Sequence, residues 1–236
     1  AAQDTTTTGA GPQGRRPGTT APDGRTVRHA EGGERPVYLP RSNNYGYAEG
    51  DTYTYRVIDT WKDEVTGTYT TAIDEVLGDG QLLANGHALQ MDAQGRVKSQ
   101  RHADGGSSEF APSQDLWWSN PKRGESRDLS FKETFQRADR VRGETEWTGS
   151  SSVGRARRID TPAGEFEVLP IRSSGWYHER LANGTRSSGQ WSRTVYYSLQ
   201  LGHPVAIDIE DADRLGKLLR RGRVELMHAQ TARGAP

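Results

Sequence analysis

The sequence predicts an all-β protein: a strongly curved antiparallel sheet, half-barrel or barrel-like, of about 10–12 strands. Three observations predict it. From Gly50 onward the residues alternate with period two, in segments rich in aromatic and β-branched side chains. Turn residues, such as Asn183-Gly184 and Gly202-His203-Pro204, punctuate those segments at regular spacing. Only 32% of the chain is hydrophobic, so its 6 Trp, 9 Tyr and 4 Phe must supply much of the core.

Residues 1–44 form a separate low-complexity arm. Thr5 to Thr8 is a threonine run, and glycines and prolines break up everything to Asp23. Such a segment buries too little apolar surface to offset its ordering entropy. It settles only against a surface, so the expectation is an extended arm lying on a neighbouring copy or another protein. Residues 45–230 are the antiparallel β domain and 231–236 a short tail.

Within the domain, Tyr53, Tyr55, Val57 and Trp61 share one face of the first strand. Thr66 to Leu77 is the second strand, joined by Gly78-Asp79-Gly80 to the third, which Asn85-Gly86 interrupts. Leu89 to Met91 and Arg96 to His102 follow. Ala103 to Ser126 shows no clear period, yet it carries Phe110, Leu116, Trp117 and Trp118. A long loop of this kind either caps the core or presents an aromatic surface. Leu129 to Gln136 and Val141 to Trp147 pair as a hairpin. Thr161 to Met227 is a four-strand meander, opened by the Thr161-Pro162-Ala163-Gly164 turn. A short helix candidate near Asp211 to Leu219 contains Gly216, which argues against it.

Composition excludes several function classes. Lys and Arg number 31, Asp and Glu 31, giving a formal net charge of zero. That excludes a generic nucleic-acid or anionic-membrane binder. No apolar run approaches the roughly 18–20 residues of a spanning helix. The chain has no cysteine, hence no disulfide, thiol nucleophile or thiolate metal site. Ala1-Ala2-Gln3 suits a mature chain after signal-peptide removal, so the expected location is periplasmic or extracellular, in a bacterium.

The order of motifs from about Asp51 to Met227 carries a resemblance. A Gly-Asp-x-Tyr-x-Tyr strand at Gly50 to Tyr55 precedes an aromatic-Pro-Gly stretch at Trp117 to Gly124. Thr161-Pro162-Ala163-Gly164-Glu165-Phe166 follows, then Val195-Tyr196-Tyr197-Ser198 with Leu201-Gly202-His203-Pro204-Val205. This resembles a group of uncharacterised bacterial envelope proteins related to the half-barrel of the Lol-type lipoprotein carriers. The resemblance implies an exported, curved sheet whose concave face takes an apolar ligand. The chain departs from the carriers in lacking a Met/Leu-rich helix to plug the concavity.

The chemistry-bearing residues point away from catalysis, and no catalytic residue, metal ligand or cofactor is assigned. The six histidines never occur at a short metal-ligand spacing. Asp208-Ile209-Glu210-Asp211-Ala212-Asp213 lacks the pattern of a calcium loop and reads as a solvated strand face. No Gly-x-Ser-x-Gly elbow and no phosphate-binding glycine loop is present. Aromatic residues remain. Trp176 and Tyr177, like Tyr196 and Tyr197, must face opposite sides of a strand. The candidate ligand- or partner-binding set is Phe110, Leu116, Trp117, Trp118, Trp176, Tyr177 and Tyr196. The first functional expectation is a non-enzymatic exported envelope protein acting by association, with a protein partner or a homo-oligomer reached through the arm and the aromatic loop. The alternative is a module holding a lipid or other apolar ligand, with that loop as its lid. A carbohydrate-active enzyme is the third.

Overall fold

The computed structural model describes residues 47–231 and, ahead of them, two short strands, β1 (Thr19–Thr20) and β2 (Thr26–Val27), paired antiparallel. The rest of the expected arm, and residues 232–236, lie outside the described residues. Thirteen strands follow: β3 (Thr52–Asp59), β4 (Glu64–Val76), β5 (Leu82–Ala84), β6 (Leu89–Met91), β7 (Val97–Arg101), β8 (Ser107–Ala111), β9 (Ser126–Gln136), β10 (Arg142–Val153), β11 (Arg157–Thr161), β12 (Gly164–Leu181), β13 (Arg186–Ser198), β14 (His203–Asp213) and β15 (Leu218–Gln230). All pairings are antiparallel and join chain neighbours, except that β12 pairs with β10 as well as with β11, and β15 pairs with β3 and closes the ring. β11 prolongs the line of β10: β12 pairs with β10 along Ile171 to Leu181 and with β11 along Gly164 to Val168. The result is a closed up-and-down barrel of 12 strands. The half-barrel alternative, and the open concave sheet that the resemblance implies, give way to a complete ring.

One local doubt is settled and one expectation changes. The stretch Asp211 to Leu219, where Gly216 argued against a helix, is the end of β14, a turn with Gly216 at φ 80°, and the start of β15. The positive φ at Gly216 takes the chain out of a right-handed helix. The stretch Ala103 to Ser126 is not all loop, because β8 lies within it and carries Phe110. Five half-exposed residues are too few for the alternation to show.

Meander topology assigns the turns to two rims. The β3–β4, β5–β6, β7–β8, β9–β10, β12–β13 and β14–β15 turns lie on one rim, called here the hairpin rim. The other, the plugged rim, carries the remaining turns, the long β8–β9 connection and the chain ends of the barrel. Along β10, Thr145, Trp147, Gly149, Ser151 and Val153 face the lumen, while Glu146, Thr148, Ser150 and Ser152 are exposed. The main lumen cluster joins Leu129, Phe131, Val153, Leu169, Ile171, Trp191, Val195 and Tyr197. A second cluster builds on the β11–β12 hairpin, where Phe166 and Val168 pack with Tyr53, Tyr196, Val205 and Leu226. The Ala163 N–H there donates to the Leu226 carbonyl at 3.2 Å.

β10 and β12 approach closely where Gly149 pairs with Gly175. A Cβ on Gly175 would sit 1.8 Å from the Thr148 oxygen, and one on Gly149 2.1 Å from the Ser174 oxygen. Trp191, the register partner of Gly175 on β13, fills the space that the missing side chains leave. Its indole N–H donates to the carbonyls of Thr148 (3.2 Å) and Trp176 (3.1 Å), spanning β10 and β12. Beside it the buried Ser151 and Ser173 hydroxyls bond at 2.6 Å. Further along, Gly154, Arg155 and Ala156 interrupt the wall opposite Pro170. A proline is tolerated there because the ladder is already broken, and its carbonyl still accepts from the Gly154 N–H at 2.8 Å.

Replacing Gly175 by Ala is expected to cost at least about 3 kcal/mol, because a backbone carbonyl cannot yield to the new methyl. Trp191→Phe keeps the ring and loses the two hydrogen bonds, for about 2 kcal/mol. Urea denaturation measures both; a Gly175→Ala protein as stable as wild type would refute the close approach.

Candidate functional site

The long connection between β8 and β9 decides what the lumen can hold. It is lashed to the β6–β7 turn by Arg96. The Arg96 guanidinium donates to Asp92 (2.7 Å), to Asp115 and to the Trp117 carbonyl (3.3 Å). Ser113 donates its hydroxyl to the same Asp92 carboxylate, and the Gln114 N–H donates to the Val97 carbonyl at 2.9 Å. Burial raises the Asp92 pKa, but the bonds from Ser113 and Arg96 and the Arg96 charge outweigh it and hold the carboxyl below its ordinary value. The tryptophans are fixed in turn: the Trp117 indole donates to the Gln94 carbonyl (3.1 Å), and that of Trp118 to Glu125 (2.9 Å). The Arg127 guanidinium lies 4.2 Å from the Trp118 ring centroid.

Leu116, Trp117 and Trp118 are therefore buried in the lumen cluster. The loop plugs the barrel from below, and between the plug and the wall of β3, β4, β6, β7, β14 and β15 a cleft of about 390 Å³ remains. Its walls are Leu89, Met91, Val97, Trp117, Ile207 and Val224, with Tyr47, Tyr55 and Tyr69. Polar contributions come from Thr70, Thr71, Asn85, Gln100 and Gln114, and none of the lining residues among those described is charged. Tyr55 and Tyr69 are register partners on β3 and β4, and their rings stack at 5.3 Å and 21°. Burial, with Tyr47 and Tyr69 beside it, pushes the Tyr55 hydroxyl well above its ordinary value. Tyr69 keeps 46% of its surface accessible because it faces the cleft space, yet the enclosing wall still pushes its hydroxyl up to about 12. Both tyrosines are neutral at physiological pH, in keeping with the uncharged walls.

A second cavity, of about 440 Å³, opens at the hairpin rim. Trp147, Tyr177 and Phe135 line it with Glu133, Glu179 and Arg137, so its surface is mixed and charged. Nearby Arg193 pairs with Asp211 of the neighbouring strand β14 at 2.8 Å and faces the Trp147 and Trp191 rings at about 6 Å.

The seven aromatic and apolar candidates from the sequence do not converge. Trp117 lines the apolar cleft and Tyr177 the charged cavity. Leu116 and Trp118 are core residues, and Phe110 packs on Phe131 at 6.0 Å between centroids. Trp176 points outward, 43% exposed. Tyr196 is 5% exposed on the opposite face from Tyr197, beneath the guanidiniums of Arg157 (4.8 Å) and Arg223 (5.3 Å), with its hydroxyl donating to Asp208 at 2.6 Å. The cleft residues that sequence reasoning missed, Tyr47, Tyr69, Met91 and Val224, meet only through cross-strand register. The Tyr53/Tyr55 alternation was the one local sign.

No protein-family model and no curated protein matches the chain. Three solved structures are similar to it. A candidate lipoprotein from Parabacteroides distasonis has 12% identity and a TM-score of 0.46, covering 80% of this chain and 100% of that one. A candidate exported protein with a YmcC-like fold from Bacteroides fragilis has 13% identity and a TM-score of 0.46, covering 82% and 98%. The hypothetical lipoprotein YmcC from Escherichia coli has 10% identity and a TM-score of 0.44, covering 79% and 85%.

Arg96→Ala is expected to free the plug, shifting part of the tryptophan emission to the red and lowering stability by about 2–3 kcal/mol. Because the folded Asp92 pKa lies below the unfolded value of about 3.9, its contribution is complete above that value and drains away as pH falls through the folded one. Acid titration of wild type should release the plug below the ordinary carboxylate range. In the Arg96→Ala protein the red-shifted emission should already be present at neutral pH; unchanged emission in that variant would remove Arg96 as the lashing residue.

Proposed function

We propose that the protein is a non-enzymatic binding barrel of the bacterial envelope, holding one small apolar molecule or a single acyl chain in the lumen cleft. One observation carries the reading. In a chain with 26% charged residues, no charged side chain among the described residues lines the cleft, which is walled by aliphatic groups and a stacked tyrosine pair. Small-molecule sites are concave, mostly apolar, and furnished with a few polar groups that set orientation; about 300–1,000 Å³ is usual for them. Here Asn85, Gln100 and Gln114 supply those polar groups. The Trp117 plug closes one end as a fixed floor. Envelope placement rests on the sequence resemblance. Association through residues 1–44 concerns a segment outside those described.

The test uses the full chain and the neutral fluorophore N-phenyl-1-naphthylamine, with energy transfer from tryptophan as the readout. Saturable binding near one site per chain is expected. Tyr69→Ala, at a position with room to lose its ring, should weaken it about tenfold, or about 1.4 kcal/mol. Gln100→Lys, which brings a charge to the wall, should weaken it at least as much. Absence of saturable binding, or binding indifferent to both changes, would defeat the proposal.

A further inference from the structure

β4 is one of the strands that the ring leaves half unpaired. Its partner β5 reaches only from Val76 to Ile73, and the next rung belongs to Asn85, whose N–H donates to the Ala72 carbonyl (2.9 Å) while its side-chain oxygen accepts from the Ala72 N–H (2.8 Å). Beyond that point β4 continues alone to Glu64, bonded only to β3. The strand phase says which groups are left over. Ile73 exchanges its backbone bonds on the β3 side, with Asp51 and Gly50, so odd residues face β3 and even residues face away. Ala72 spends its pair on Asn85, which leaves the N–H and C=O of Thr70 and Thr68 along the outer edge.

Of the usual protections that edge carries a bulge, at Thr66 near its far end, and lacks the others from Gly67 to Ala72. No proline and no charge occurs from Val65 to Ile73. By contrast β11 is short and carries Arg157, Arg158 and Asp160. Thr68 and Thr70 are exposed on the outer face, as is Val65, which pairs with Ile58 past a bulge at Thr66, and Tyr69 is an exposed aromatic residue on the other face. A charged partner would find nothing of opposite sign to read here. A strand with the same neutral Val-Thr-Gly-Thr-Tyr-Thr sequence meets no repulsion and matches the residue pattern in antiparallel register. We propose that β4 pairs edge to edge with β4 of a second copy, about a two-fold axis at Thr68. Thr68 then faces its own counterpart and exchanges both backbone bonds with it. Tyr69 lies opposite the partner's Gly67, above which nothing stands within 4 Å. The aromatic ring covers the glycine, a pairing that favours this register over a slipped one. The two cleft mouths, each bordered by Thr70 and Thr71, come to adjoin across the seam.

Sedimentation of the full chain over a concentration series should show a monomer–dimer equilibrium. Thr68→Pro removes an N–H that the barrel does not use, and should weaken the dimer at least about tenfold with unchanged circular dichroism. In a chain without cysteine, Thr68→Cys places two thiols about 5.5 Å apart between Cα atoms at the axis, within disulfide reach. It should cross-link under mild oxidation at protein concentrations where Ser150→Cys, exposed on β10, does not. A wild-type protein that stays monomeric throughout, or a Thr68→Cys protein that links no faster than Ser150→Cys, overturns the proposal. Slow hydrogen exchange at Thr68 and Thr70 in a species of monomer mass would place another segment on the edge, and overturns it equally.

Discussion

The barrel depends on one seam, the pairing of β3 with β15. Every other pairing joins strands that follow one another in the chain or, for β10 and β12, are separated only by the short β11, so each closes a short loop at small entropic cost. The seam joins Thr52 to Gln230 at one end and Asp59 to Gly222 at the other. It is reinforced on its outer face by Arg56, which donates to Glu225, its register partner, while Arg223 donates to the same carboxylate at 3.0 Å. Without it the lumen would open along its whole length and expose Tyr55, Val224 and the cleft. Long-range closure of this kind is the slow part of folding an all-β chain.

Closing a meander requires curvature, and the sequence supplies it at few points. Gly149 and Gly175 let β10 and β12 approach until carbonyl oxygens occupy the Cβ positions, and Trp191 restores the lost contact area from the next strand. Pro170 sits at the wall interruption rather than within the ladder. Closure and filling are then separate problems. The aromatic cluster fills the hairpin half of the lumen, with Arg193 and Asp211 paired beside it on β13 and β14. The β8–β9 plug fills the other half. The apolar cleft is what neither reaches.

Much of this was legible in the sequence, and the rest was not, for physical reasons. Period-two alternation in β3, β12, β13 and β14 marks strands because one face is buried and the other wet. The all-β class and the order of the final meander follow from it. β8 was missed because its few residues are all partly accessible. The double tryptophan of the plug signalled a loop too apolar to be a linker, but its neighbours in space, Asp92, Arg96 and Gln94, lie on another turn. Tyr55 over Tyr69 is a matter of register between strands, and single-strand patterns do not encode register. Trp176 was legible as a strand residue whose face differs from that of Tyr177; which of the two faced inward required the closed ring.

The seam has a geometric corollary for anything joined to the barrel. Thr52 and Gln230 leave side by side at the plugged rim, so leading and trailing segments depart from the same pole. A tether at either terminus would hold the molecule upright with that pole proximal. The opposite pole, where Trp61 and Leu215 project from neighbouring turns, would be presented outward like the head of a mooring post.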